Sequence, residues 1–205
     1  MYWDEAFEHN YIWVAEDDVY WEYARHAHKF EYQCNLRSTE LQKSRICQKE
    51  EWCIYDQLLV EVYPNGADPW LGLFASNDTF CSNVHAVHSC PNPDYILVIS
   101  GGAAYYVNAF NPNSWLPLGV FRVKSVRALP AWNCIVMWDE TDASFLRADG
   151  VKWLSGRLCE DELTLYRCEN DELIFNGFLG TGYGEAARCN LKTGVWKKTL
   201  DWYDK

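Results

Sequence analysis

The sequence lacks three short catalytic signatures that can be read locally: it has no Gly-x-Ser-x-Gly elbow, no His-Glu-x-x-His and no Walker motif. Any catalytic pair would therefore be assembled from residues distant in the chain. Nine cysteines, an odd count, form no C-x-x-C pair, so neither a zinc ribbon nor a complete disulfide framework is written in their spacing. No apolar run approaches the roughly 20 residues needed to cross a bilayer as a helix. Basic residues are also short, at 18 against 29 acidic ones, for a formal net charge of −11. Nucleic acid and anionic membranes would be repelled by that charge, so neither is an expected partner. The opening residues Met1 to Glu5 lack the basic and apolar regions of a secretory signal. The expectation is a cytoplasmic protein whose cysteines are reduced thiols, several of them in the core.

What is present is aromatic and apolar. Hydrophobic residues make up 49% of the 205, which argues against disorder. Eleven Trp and 13 Tyr suit strands and recognition surfaces better than a helical bundle. Four of the tryptophans, Trp70, Trp115, Trp153 and Trp196, are spaced 45, 38 and 43 residues apart. Each follows a turn-forming cluster: Pro64-Asn65-Gly66, Asn111-Pro112-Asn113, Asp149-Gly150 and Lys192-Thr193-Gly194. A period of about 40 residues marks repeated supersecondary units. These four are assigned a structural role, each expected between sheets and opening the first strand of the next unit.

Between the tryptophans the same order of short runs recurs. Leu163 to Cys168, Leu173 to Phe175 and Ala186 to Leu191 form one set. Val123 to Leu129, Cys134 to Trp138 and Ser144 to Arg147 form another. Val84 to Cys90, Tyr95 to Ile99 and Tyr105 to Phe110 form a third. A shorter set runs through Ser44 to Cys47, Trp52 to Tyr55 and Leu58 to Tyr63. Short apolar or alternating runs bounded by Gly, Pro, Asn and Asp are strands with turns. Gly180-x-Gly182-x-Gly184 lacks the following helix that a phosphate cradle needs, so it reads as a hairpin turn.

The reading is an all-β chain of antiparallel four-stranded repeats, with units at about 1–39, 40–70, 71–115, 116–153 and 154–196 and a closing strand over 197–205. Four or five units fit, because residues 1–39 carry only a fainter copy through Cys34-Asn35-Leu36. Tyr11 to Ala15 and Val19 to Tyr23 are candidate strands there, with a helical stretch near Glu16 to Phe30 left open. A strand closure between the two termini would remove a bare sheet edge. The strand-turn-Trp ends, Cys189-Asn190-Leu191-Lys192-Thr193-Gly194-Val195-Trp196 above all, resemble the blade ends of quinoprotein-type β-propellers. That resemblance implies a propeller-like fold and carries over no quinone site. A β-sandwich or two separate β-domains is the structural alternative.

Candidate chemistry is sparse. His85-x-x-His88-x-Cys90 offers zinc-type donors, but strand spacing points His85 and His88 to opposite faces. No metal, cofactor or catalytic residue is therefore assigned. Cysteines 47, 90 and 168 share one repeat column and cysteines 34 and 189 another, which predicts that they lie far apart, each packed in its own unit. The acidic turns carry the functional expectation. Glu50, Glu51, Asp94, Glu169, Asp171 and Glu172 fall in one kind of turn, and Asp139, Glu140 and Asp142 in turns at the opposite end. The favoured reading is a non-catalytic acidic binding protein that docks a basic protein, such as an immunity protein occluding a toxin or nuclease. Two other classes stand beside it: a propeller-fold hydrolase or lyase acting in a central pocket, and a scaffold subunit of a protein assembly.

Overall fold

The computed structural model describes residues 2–4, 6–16, 27–30, 57–75, 84–118 and 122–200. It is all-β, with one single-turn 3-10 helix at Pro130–Trp132 among the described residues. Four sheets carry the described residues. The first joins β2 (Tyr11–Glu16), β4 (Gln57–Pro64), β5 (Trp70–Ala75) and β3 (His28–Phe30), in the order β2-β4-β5-β3. The second runs β1 (Tyr2–Asp4), β6 (Ala86–Ser89), β7 (Tyr95–Ser100), β8 (Ala103–Asn108) and β9 (Asn111–Leu118). The third is the meander β10 (Ser125–Leu129), β11 (Cys134–Trp138), β12 (Ala143–Arg147) and β13 (Gly150–Leu154). The fourth is the meander β14 (Asp161–Glu169), β15 (Glu172–Phe178), β16 (Tyr183–Asn190) and β17 (Trp196–Lys198).

Antiparallel four-stranded sheets in sequence order are the blade unit of a propeller-like fold. Two details depart from a uniform repeat: β3 pairs parallel to β5, and β1 adds a fifth strand beside β6. The third and fourth sheets follow the expected runs closely, with β11 spanning Cys134–Trp138 as read from its bounding turns. The runs at Ser44 to Tyr55, Val19 to Tyr23 and Cys34 to Leu36, and residues 201–205, lie outside the described residues. Lys197 and Lys198 belong to β17 and pair with β16 inside the fourth sheet.

Two compact units divide the described chain, the first holding the first two sheets and the second the other two, with Asp4–His9 and Ser89–Pro93 grouped with the second. Each unit has its own core between its two sheets. In the first, Phe30 stacks on Phe74 at 4.3 Å between ring centroids, among Val60, Val98 and Tyr105. In the second, Phe145 and Phe175 both lean on Trp196, at 5.6 and 5.8 Å. The middle strands are buried on both faces, as Ile96 to Ile99 and Ile135 to Met137 show, which accounts for their unbroken apolar runs. On the edge strand β9, Pro112 and Pro117 remove backbone donors where no further described strand pairs.

The four tryptophans do sit against these cores: Trp70 is buried and Trp115, Trp153 and Trp196 are half-buried beside the clusters. Their place in the strand order differs from expectation. Trp115, Trp153 and Trp196 lie on β9, β13 and β17, the last strands of their own sheets, and open no following sheet. A hairpin leads into each of these last strands; before Trp115 its turn is Ala109-Phe110, and the Asn111-Pro112-Asn113 cluster lies within β9 itself.

The repeat period now has contacts behind it. The Trp70 indole N–H donates to the Ala109 carbonyl at 2.7 Å, in the turn that precedes Trp115. Trp132, in the β10–β11 connection, donates to Asp171 in the β14–β15 turn at 3.1 Å, also 39 residues on. Trp153 lies against Gly194, in the turn before Trp196. Within each unit, tryptophans of the earlier repeat thus lodge in turns of the later one.

Candidate functional site

The acidic turns are well-defined pieces of backbone. Asp94 immediately precedes β7, and its carbonyl accepts the Ala109 amide at 2.8 Å. Asp171 immediately precedes β15, and its carbonyl accepts the Leu191 amide at the same 2.8 Å. The two residues are therefore equivalent in the repeat. Asp139 to Asp142 form the β11–β12 turn, at the other end of the second unit from Asp171; the Glu140 carbonyl there accepts the Leu163 amide near the start of β14. Glu50 and Glu51 lie outside the described residues.

In the second unit these carboxylates have partners that absorb them. Asp139 Oδ1 accepts the amides of Thr141 and Asp142, each at 2.7 Å, closing an Asx turn. Burial still pushes its pKa above the usual carboxylate range, against those two bonds. Asp142 accepts the Thr141 hydroxyl at 2.7 Å, and Glu140 pairs with Lys124. Asp171 pairs with Lys192 and accepts the Trp132 indole N–H, and the Lys192 bond in particular holds its pKa low. Glu169 pairs with Arg167 at 3.1 Å. Glu172 shares Arg188 with Glu185, whose bidentate bonds at 2.7 and 2.8 Å are the tighter ones.

The first part of the chain is different. Residues 1–121 contain six basic and sixteen acidic side chains, whereas residues 122–200 contain eleven of each. Nearly all the net charge thus belongs to the first part. Two of its described carboxylates accept hydrogen bonds from neutral groups, Asp94 from the Asn10 carboxamide N–H at 2.9 Å and Glu61 from the Tyr63 hydroxyl, which raises that phenol's pKa. Of the predicted acidic set, Glu50, Glu51 and Asp94 fall in this stretch. A charge count by segment was readable from the sequence; the pairing that neutralises the rest was not.

Among the described residues, two surface depressions of the second unit bear on this question. One, of about 390 Å3, is lined by Asn133, Arg147, Ala148, Asp149 and Trp153. The other, of about 240 Å3, is bordered by Glu172, Arg188 and Lys197. Neither brings two carboxylates together. Among the described residues no three of His, Cys, Asp and Glu stand close enough to hold a metal ion. No described helix is long and apolar enough to cross a membrane.

The cysteines of the second unit lie close together in its core. Cys168 and Cys189 are in one sheet, opposite Leu173 and on either side of it, and both pack in the core that contains Cys134. The expected separation concerned cysteines of one column in different units; Cys168 and Cys189 come from different columns of one unit and meet across its central strand β15. All three are free thiols. Burial pushes Cys134 and Cys159 up to about 11 and Cys189 to about 12. Thiolate is the reactive form, so Cys134, Cys159 and Cys189 should resist a thiol reagent at pH 8 in the native protein and react fully in denaturant. Fast native labelling of any of them would contradict this burial. The same shifts set a pH trend. The unfolded thiols ionise at about 8.5 and the folded ones only at about 11 to 12, so this contribution to stability is intact below pH 8 and is lost as pH rises above it.

No protein-family model matches the chain, and no curated protein matches it. Among solved structures it is similar to a TolB-like protein from Agrobacterium tumefaciens, with 12% identity, a TM-score of 0.35 and coverage of 57% of this chain and 46% of that one. It is also similar to the CNH domain of AfRom2, with 8% identity, a TM-score of 0.32 and coverage of 63% and 56%. The chain thus spans about half the length of each. The propeller-like description rests on the strand pairing itself.

Proposed function

We propose that this chain is a non-catalytic, cytoplasmic binding protein that engages a basic protein partner, in the manner of an immunity protein occluding a toxin or nuclease. The observation that carries the reading is the partition of charge, with six basic against sixteen acidic residues in 1–121 and an even balance in 122–200. A field of one sign confined to part of a molecule steers an oppositely charged partner and sets its orientation. The contact acids in this reading are Asp94, Glu50 and Glu51 from the predicted set, together with Glu61 and Asp68. The internally paired Asp139, Glu140, Asp142, Glu169, Asp171 and Glu172 contribute less, because breaking their existing bonds offsets what a partner would supply. The likeness of Cys189 to Trp196 to quinoprotein-type blade ends is proposed for the turn alone.

Capture of a basic protein from the native lysate at about 50 mM salt, with release at about 500 mM, is the expected behaviour of such an interface. Neutralising Glu61 and Asp68 together (E61Q with D68N) should weaken capture several-fold, while E169Q should leave it nearly unchanged. Capture indifferent to salt, or equal sensitivity to both sets of substitutions, would count against the reading.

A further inference from the structure

Lys124, Arg167, Arg188 and Lys192 of the second unit pair with carboxylates, whereas Arg147 is held by an indole and a backbone carbonyl. It ends β12, its Nη2 donates to the Trp132 carbonyl at 3.3 Å, and its guanidinium lies 4.9 Å from the centroid of the Trp153 ring. Among the described residues no carboxylate forms an ion pair with it. The nearest acid along this chain of contacts, Asp171, is committed to the Trp132 indole and to Lys192. Half-burial, the aromatic face and one backbone acceptor hold the planar fork in place, so most of its N–H donors are left to the 390 Å3 depression it lines. Asn133, set at the rim in a left-handed conformation (φ 49°), lines the same depression, as does the exposed Asp149.

We infer that this depression is a binding site for a small carboxylic acid carrying a hydroxyl or amide N–H next to its carboxylate. Arg147 receives the carboxylate through its fork, the geometry that guanidinium matches best. Asp149 opposes a bare anion but accepts a hydrogen bond from the neighbouring donor, and Asn133 supplies an amide to either group. Asp149 also disfavours a doubly charged phosphate. The volume lies at the small end of the range for small-molecule sites. The inference is independent of the basic-partner reading, since it uses the other unit and the opposite sign of charge.

The test is an NMR titration of the full chain with glycolate, N-acetylglycine and acetate, following Arg147 Nε–H and Trp153 Nε1–H. Glycolate and N-acetylglycine should bind saturably and more tightly than acetate. Glycolate binding favours a free hydroxy acid, and N-acetylglycine binding favours the C-terminus of a peptide. R147K keeps the charge, loses the fork, and should weaken binding about tenfold. D149N should abolish the preference over acetate while strengthening acetate itself; it lies in an exposed turn and leaves the core intact. Absence of saturation, or shifts that survive R147K unchanged in a protein whose melt is native, would overturn the site. Equal affinity for acetate and glycolate would overturn the role of Asp149 and with it the ligand class.

Discussion

Replacing Gly194 by alanine is expected to destabilise the second unit by about 3 kcal/mol, more than a surface turn substitution ordinarily costs. Two effects add. Gly194 has φ +70°, a left-handed conformation that costs an L-residue roughly 1 to 2 kcal/mol. A Cβ there would also fall well inside contact distance of the Trp153 indole, a half-buried ring that cannot swing away without leaving the core. Overpacking of that kind costs roughly 1 to 3 kcal/mol. The two are separable. Gly66 has a similar φ of +79° with nothing within 4 Å of its would-be Cβ, so G66A should cost only about 1 kcal/mol. In a W153A background, G194A should likewise fall to about 1 kcal/mol, a coupling of roughly 2 kcal/mol in a double-mutant cycle. Urea denaturation followed by circular dichroism measures all of these variants. Equal costs for G194A in both backgrounds would mean that the indole does not press on this turn.

A larger loss, of about 4 kcal/mol, is expected from Phe145→Ala. Phe145 is fully buried on β12, its ring 5.6 Å from both Trp153 and Trp196. A bulge between Phe145 and Leu146 lets β13 bring Trp153 opposite Phe145. Removing the ring leaves a cavity walled by two large indoles that are themselves held by Gly194 and Phe175. Such walls collapse poorly, which puts the cost toward the upper end of the range for phenylalanine. F145L, which retains most of the volume, should cost only about 1.5 kcal/mol. Tryptophan emission should shift to the red in F145A as water reaches the indoles. If F145A instead costs no more than F145L and leaves the emission unchanged, the Phe145–Trp pair adds little to the core.

Strand content was legible because each run is short and bounded by residues with a specific turn chemistry. Asn190 shows why: its side-chain oxygen accepts the amides of Lys192 and Thr193, an Asx turn that the sequence Asn-Leu-Lys-Thr-Gly announces. Gly180 and Gly182 make the expected hairpin between β15 and β16, where the Leu179 amide donates to the Gly182 carbonyl at 3.0 Å. The position of the tryptophans in their sheets was not legible, since a strand that ends one sheet and a strand that begins the next have the same pattern. Nor was the parallel pairing of β3 with β5, because so short a strand carries no periodicity that distinguishes direction.

The candidate acids divide in the same way. Their clustering in turns was plain from composition, and the equivalence of Asp94 and Asp171 followed from the repeat. That Glu140, Asp171 and Glu172 are met by Lys124, Lys192 and Arg188 depends on strands brought together by folding, up to 21 residues apart in sequence. Arg147 escaped attention for the opposite reason. An arginine at the end of a strand reads as a solvated charge, and only the indole of Trp153 and the carbonyl of Trp132 make it a fixed one.

By itself, then, the amino-acid sequence determined the strands, the turns, the repeat period and the excess of negative charge. These depend on neighbours close in the chain or on simple sums, so the order of residues is enough to express them. The tertiary structure alone decided which aromatic enters which turn, which carboxylates are met by a cation, and how Arg147 is held in place. Those outcomes depend on groups from different repeats reaching van der Waals or hydrogen-bond distance, where a small displacement separates a contact from a gap.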